Sequence, residues 1–133
     1  MEFDLCNRNP WCPVTATDLL ERSKNAEVIT WAHDELGIGY KEIGRVVRAS
    51  ERTVLRWKGR ETLASQRHRA RLQGLNRLKH LLSRVFQEPR GAHEWLHSPV
   101  PVLGGRTPIS YLREGKLRPV LEVLASFDAG VFV

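Results

Sequence analysis

Residues 40–58, YKEIGRVVRASERTVLRWK, decide the fold. Tyr40 to about Arg48 reads as a short helix with Ile43, Val46 and Val47 inward, and Ser50 is placed to cap a second helix from Glu51 to Lys58. Ile43, Val47, Val54 and Trp57 fall where two helices crossing at a steep angle share a small core, and Ala49-Ser50 falls in the tight connection between them. That is the layout of a helix-turn-helix. Its second helix exposes Glu51, Arg52, Thr53 and Arg56, with Lys58 at its end. Arginine can fork to guanine, threonine can touch a thymine methyl or a phosphate, and a helix N-terminus itself favours a phosphate. Ser50, Arg52, Thr53, Arg56 and Lys58 are therefore the candidate DNA-binding residues. Glu51 is the one acid in the group and would repel phosphate, and a helical hairpin with the same packing that reads no DNA is the alternative.

Upstream, residues 1–14 contain Pro10 and Pro13 and no periodic pattern. Apolar residues recur at helical spacing from Thr15 or Thr17 to about Ser23, and again from Ala26 to Leu36, where Gly37-Ile38-Gly39 ends the run. Downstream, a polar connector follows Gly59, and Ser65 or Gln66 opens a long helix to about Gln87. Its expected buried stripe is Leu72, Leu75, Leu78, Leu82 and Val85 or Phe86, with Pro89 as the stop. A shorter helix is expected around Ala92 to His97. Gly104-Gly105 then makes a turn, Thr107 caps, Pro108 opens a helix over Ile109 to Glu114, and Gly115 ends it. Arg118-Pro119 repeats the device for Val120 to about Phe127, with Gly130 before an apolar Val131-Phe132-Val133 ending. The chain is expected to be all-α with six or seven helices: an N-terminal arm over 1–25, a helix-turn-helix region over 26–64, a connecting long helix over 65–90 and a small helical C-terminal domain over 91–133.

With 133 residues, 41% hydrophobic and 27% charged, the composition is that of one compact domain or two very small ones, which excludes a large multi-domain enzyme. The net charge of +6 is unevenly spread. Residues 1–40 carry three basic and seven acidic side chains, residues 41–90 fourteen and four, and residues 91–133 four of each. Basicity thus belongs to the segment that holds the helix-turn-helix, as expected if one element meets phosphates. No apolar run approaches a membrane span, and the Met1-Glu2-Phe3-Asp4 start is acidic where a secretory signal would be basic, so a cytoplasmic location is expected. Cys6 and Cys12 are too few and too widely spaced for a zinc ribbon or a disulfide framework, and read as free thiols.

His93-Glu94-Trp95-Leu96-His97 matches HExxH, which in zinc hydrolases puts two imidazoles and a carboxylate on one helical face. Ser98-Pro99 ends that helix at once. His33, His68 and His80 lie far upstream, leaving Glu114 or Glu122 as a third ligand. The expected state is a helix with Trp95 and Leu96 inward and its histidines solvated, holding no metal. Residues 104–106 do not make a phosphate loop, because GxxxxGK[ST] is absent. Neither a nucleotide-binding nor a triad signature occurs, so no cofactor and no catalysis are expected.

Residues 40–58, with the Ala26 to Leu36 helix before them, resemble the Cro/repressor-like (Xre) helix-turn-helix group, in which a small-residue turn precedes a TVxRW-type recognition helix. Residues 92–133 closely resemble the C-terminal toxin-binding domain of the Xre/MbcA/ParS antitoxin family. The likeness is carried by Trp95-Leu96, Leu103-Gly104-Gly105, Thr107-Pro108, Leu112, Gly115, Val120, Leu124 and Gly130. It implies an antitoxin of a type II pair whose partner is a RES-domain toxin, a family that degrades NAD or transfers ADP-ribose. In relatives the C-terminal region covers the toxin's active site, and the helix-turn-helix binds the operon's own promoter as a repressor. Carried over here, Gly105-Arg106-Thr107-Pro108 and the Asp128 to Val133 tail would face the toxin, with direct contact assigned to Arg106, Arg113, Phe132 and Val133. Gly104, Gly105, Thr107, Pro108, Gly115 and Gly130 would shape turns and caps. Repression calls for a homodimer or a larger toxin–antitoxin assembly, since two half-sites multiply the specificity of one small reader. A stand-alone transcriptional regulator without a toxin is the alternative.

Overall fold

The computed structural model describes residues 16–130. Helix α1 runs unbroken over Ala16–Glu35. Ala26, Val28, Ile29 and Ala32 lie on its buried face, and Leu36 and Ile38 continue that face beyond its end. The break expected between two runs here is absent, and so is an arm reaching to residue 25. Ser23-Lys24-Asn25 contains no glycine or proline to interrupt the helix, and Asn25 turns inward, only 8% exposed, in register with the apolar face.

Gly37 turns the chain in the left-handed region, and α2 spans Tyr40–Val47. Glu42 Oε1 accepts a hydrogen bond from the Gly39 N–H at 3.0 Å, which satisfies a donor at the start of that helix. Arg48 closes α2 in the left-handed conformation, and α3 follows over Glu51–Lys58. Its cap is the expected one: the Ser50 hydroxyl accepts from the Thr53 N–H at 3.1 Å. Ile43, Val46, Val47, Val54 and Trp57 are all buried between the two helices and α1.

Helix α4, Gln66–Val85, buries Leu72, Leu75, Leu78, Leu81 and Leu82. Pro89 is not what ends it. The backbone is already extended at Phe86 and again at Glu88, where a following proline disfavours helix, and Pro89 instead occupies the first turn of α5, Pro89–Leu96. A single 3₁₀ turn at Pro101–Leu103 leads to α6, Pro108–Arg113, capped by Thr107, and to α7, Arg118–Asp128. Among the described residues there are seven α-helices and no strand, only an isolated bridge between Val100 and Arg106 across the Gly104-Gly105 turn. The fold is all-α.

One apolar cluster runs through both halves of the chain, from Val28 and Ile29 through Val54, Trp57, Leu75 and Leu78 to Leu112 and Leu124. Helix α7 lies along α4, and α6 folds back on α2. A smaller cluster of Val100, Leu103 and Val123 sits under Trp95, Tyr111 and Phe127. Among the described residues no helix is long and apolar enough to cross a membrane.

Candidate functional site

Helix α3 owes its accessibility to the two residues it buries. Val54 and Trp57 pack inward, so Arg52 and Arg56, one turn apart, share the outer face, and both are exposed. Neither guanidinium has an ion pair or hydrogen bond among the described residues. The Ser50 and Thr53 hydroxyls stand 2.9 Å apart and are occupied with the cap. Leu55, 43% exposed, sits beside the two arginines as an apolar contact surface of the kind that meets a thymine methyl. The sequence pattern places Leu55 neither with the inward Val54 and Trp57 nor with the exposed polar residues.

Lys58 belongs to a different constellation from Arg52 and Arg56. Its ammonium lies 5.0 Å from the centre of the Tyr40 ring, and Tyr40 stacks on His33 at 4.3 Å, nearly parallel. A hydrogen bond to Tyr40 raises the lysine above its ordinary value, with the nearby Asp34 carboxylate adding to the effect. Lys58 thus clasps the end of α3 to the start of α2. His68, unmarked in the sequence, ties α4 to the same unit. Its Nε2–H donates to the Arg48 carbonyl at 3.2 Å, its Nδ1 accepts from the Ser65 hydroxyl at 3.0 Å, and its ring rests against Trp57.

In the C-terminal part, Gly104 and Gly105 both take positive φ, and the Thr107 hydroxyl accepts from the Ser110 N–H at 3.3 Å, with Pro108 buried beside it. Arg106 lies over the Tyr111 ring at 4.4 Å and is ion-paired with Glu114. That pairing raises the arginine and holds the Glu114 carboxyl below its ordinary value. Arg113 points elsewhere. Its guanidinium is 3.6 Å from Glu42 on α2, and its carbonyl accepts from Arg45 Nη1 at 3.3 Å. The two candidate toxin-contacting arginines are therefore not one patch: Arg106 borders the glycine turn, and Arg113 seams α6 to the helix-turn-helix. Gly115 lies on that seam, at φ +82°, with the Arg45 carbonyl so close that a Cβ would stand 2.6 Å from it. Gly130 also takes positive φ. The end of α7 is fixed by Asp128 to Arg84 at 2.9 Å and by Phe127 against Trp95. Phe132, Val133 and both cysteines lie outside the described residues.

The HExxH residues are occupied with one another and with their own helix. The His93 and His97 rings are 4.3 Å apart, His97 Nδ1–H donates to the His93 carbonyl at 2.9 Å, and Glu94 pairs with Arg90 at 3.1 Å. Glu114 is held by Arg106 and Glu122 by Arg118. Among the described residues no three His, Cys, Asp or Glu side chains are placed to hold a metal ion.

The geometry defines an all-α protein in which a helix-turn-helix, with two arginines unpaired among the described residues on its outer helix, is seamed to a glycine-turned helical domain at its C-terminal side. The family model of the antitoxin Xre/MbcA/ParS C-terminal toxin-binding domain matches residues 81–130. The mycobacterial cidal antitoxin MbcA of Mycobacterium tuberculosis (strain ATCC 25618 / H37Rv) is 32% identical over 108 residues, which cover 81% of this chain and 95% of that protein. The probable mycobacterial cidal antitoxin Rv3188 of the same strain is 30% identical over 114 residues, covering 86% and 96%. Among solved structures, the crystal structure of the M. tuberculosis MbcT–MbcA toxin–antitoxin complex contains a chain that superposes with a TM-score of 0.54 at 31% identity, over 81% of this chain and 96% of that one. The chain belongs to the Xre/MbcA/ParS antitoxin family.

Proposed function

We propose that this protein is the antitoxin of a type II toxin–antitoxin pair, that it neutralises a RES-domain toxin which degrades NAD or transfers ADP-ribose, and that it represses its own promoter. The carrying observation is the likeness, over nearly the whole length of that chain, to a partner in a toxin–antitoxin complex. Inhibition is steric. The C-terminal domain, with Arg106 at the glycine turn and the Val131-Phe132-Val133 ending, covers the toxin's active site, and the antitoxin catalyses nothing itself. An apolar stretch such as Val131-Phe132-Val133 is costly to leave in water and readily inserted into a pocket. Repression uses the outer face of α3, where Arg52 and Arg56 stand without partners among the described residues, and a homodimer or a larger toxin–antitoxin assembly supplies the second half-site. The pair acts in the cytoplasm.

The test is a pull-down from the native host with the full chain as bait beside a chain ending at Gly130, which leaves α7 and its contact between Phe127 and Trp95 intact. The full chain is expected to retain one stoichiometric partner that consumes NAD once released. The shortened chain is expected to lose inhibition of that activity. Failure of the full chain to retain any partner would leave a stand-alone regulator, with promoter binding as its whole function.

A further inference from the structure

Twelve of the fifteen arginines among the described residues, Arg22, Arg45 and Arg77 aside, fall into two groups. Arg69, Arg84, Arg90, Arg106, Arg113 and Arg118 each meet a carboxylate. Arg48, Arg52, Arg56, Arg60, Arg67 and Arg71, which span the helix-turn-helix and the first two turns of α4, meet none among the described residues. The contrast extends to helix spacing. On α5 and α7 the residue four positions after an arginine is its glutamate partner, as in Arg90–Glu94 and Arg118–Glu122. On α3 and in the first two turns of α4 two arginines stand at that spacing instead, Arg56 after Arg52 and Arg71 after Arg67. Like charges at that spacing weaken a helix, so an external anion is the natural complement to them. Placement of the second pair is not left to chance. His68 lies between Arg67 and Arg71 in sequence, and its bond to the Arg48 carbonyl together with its contact to Trp57 pins the first turn of α4 beside the turn that opens α3.

We infer that Arg48, Arg67 and Arg71 bind backbone phosphates of duplex DNA next to the groove that α3 enters, forming a clamp that sets affinity and register without reading bases. The inference rests on the DNA-binding role proposed above and adds the residues that hold the reader in place. Phosphate contacts release counterions, so each one contributes to the salt dependence of binding equally on any sequence, whereas a base contact contributes to discrimination.

The experiment titrates the full chain, across a series of salt concentrations, against two labelled duplexes: the DNA upstream of its own gene and a scrambled duplex of the same length. The unchanged chain is compared with R67A/R71A, with R67Q/R71Q as a second version that keeps the side-chain stems, and with R52A and R77A; helicity is checked by circular dichroism. Two lost phosphate contacts are expected to flatten the slope of log K against log salt by about 1.8 on both duplexes, with the ratio of the two affinities retained. R52A is expected to lower that ratio, and R77A, two turns further along α4, to leave the slope as it was. A clamp variant with an unchanged slope, or R77A flattening it equally, would overturn the clamp while leaving the reader in place. No binding of either duplex by the unchanged chain would remove the DNA-binding role and the clamp with it.

Discussion

Gly115 carries two demands at once. It takes φ +82°, and a Cβ there would stand 2.6 Å from the backbone carbonyl of Arg45, where nothing flexible can yield. Gly104 has a similar φ of +70° but open space around it. Alanine at 104 should therefore cost only the left-handed penalty, about 1–2 kcal/mol, while alanine at 115 adds an overpacking term of about 1–3 kcal/mol. Urea denaturation of the two variants should show that order, and equal losses would contradict the close approach. Glu114 gives a second test. Arg106 holds its carboxyl below the ordinary 4.5, so the pair's stabilisation is fully present above that pH and is lost as pH falls through the lower folded value. The gap in melting temperature between the unchanged protein and Glu114→Gln should therefore close as pH falls from neutral to below 4.5. A gap that widened on acidification would reverse the assignment.

At the scale of the element, what was legible in the sequence was local. The spacing of Ile43, Val47, Val54 and Trp57 and the position of Ser50 place the helix-turn-helix and its cap because every determinant lies within one or two turns. Ser50→Ala should cost about 1 kcal/mol of stability, measured by chemical denaturation, through the loss of the bond to the Thr53 N–H. What was not legible depended on distant partners. Ser23 looked like the end of a run because Asn25, a buried asparagine, departs from apolar periodicity. Leu81 was left out of the buried stripe of α4, yet it is buried in the cluster that α4 shares with Leu112, Val120 and Leu124. Lys58 and Arg113 looked free to meet a ligand, and both are engaged by groups of another element, Tyr40 and Glu42. No pattern within a helix announces such a contact.

For the whole molecule, the single cluster from Val28 to Leu124 predicts one cooperative unfolding transition with fluorescence and circular dichroism coincident, although the sequence reads as two lobes and a connector. Leu78, fully buried where α4 passes through the cluster, should cost about 2–5 kcal/mol on replacement by alanine and should lower both signals together. Two separated transitions would mean that the halves fold independently.

The seam between α2 and α6 also governs how this protein could be recombined. A chimera that joined its first half to the second half of a relative would bring together two surfaces shaped for other neighbours. The donor would have to supply a residue without a side chain opposite Arg45 and a cation opposite Glu42. The two halves are consequently not cassettes to be swapped at the long helix: a new pairing of them has to be bred together across one shared wall.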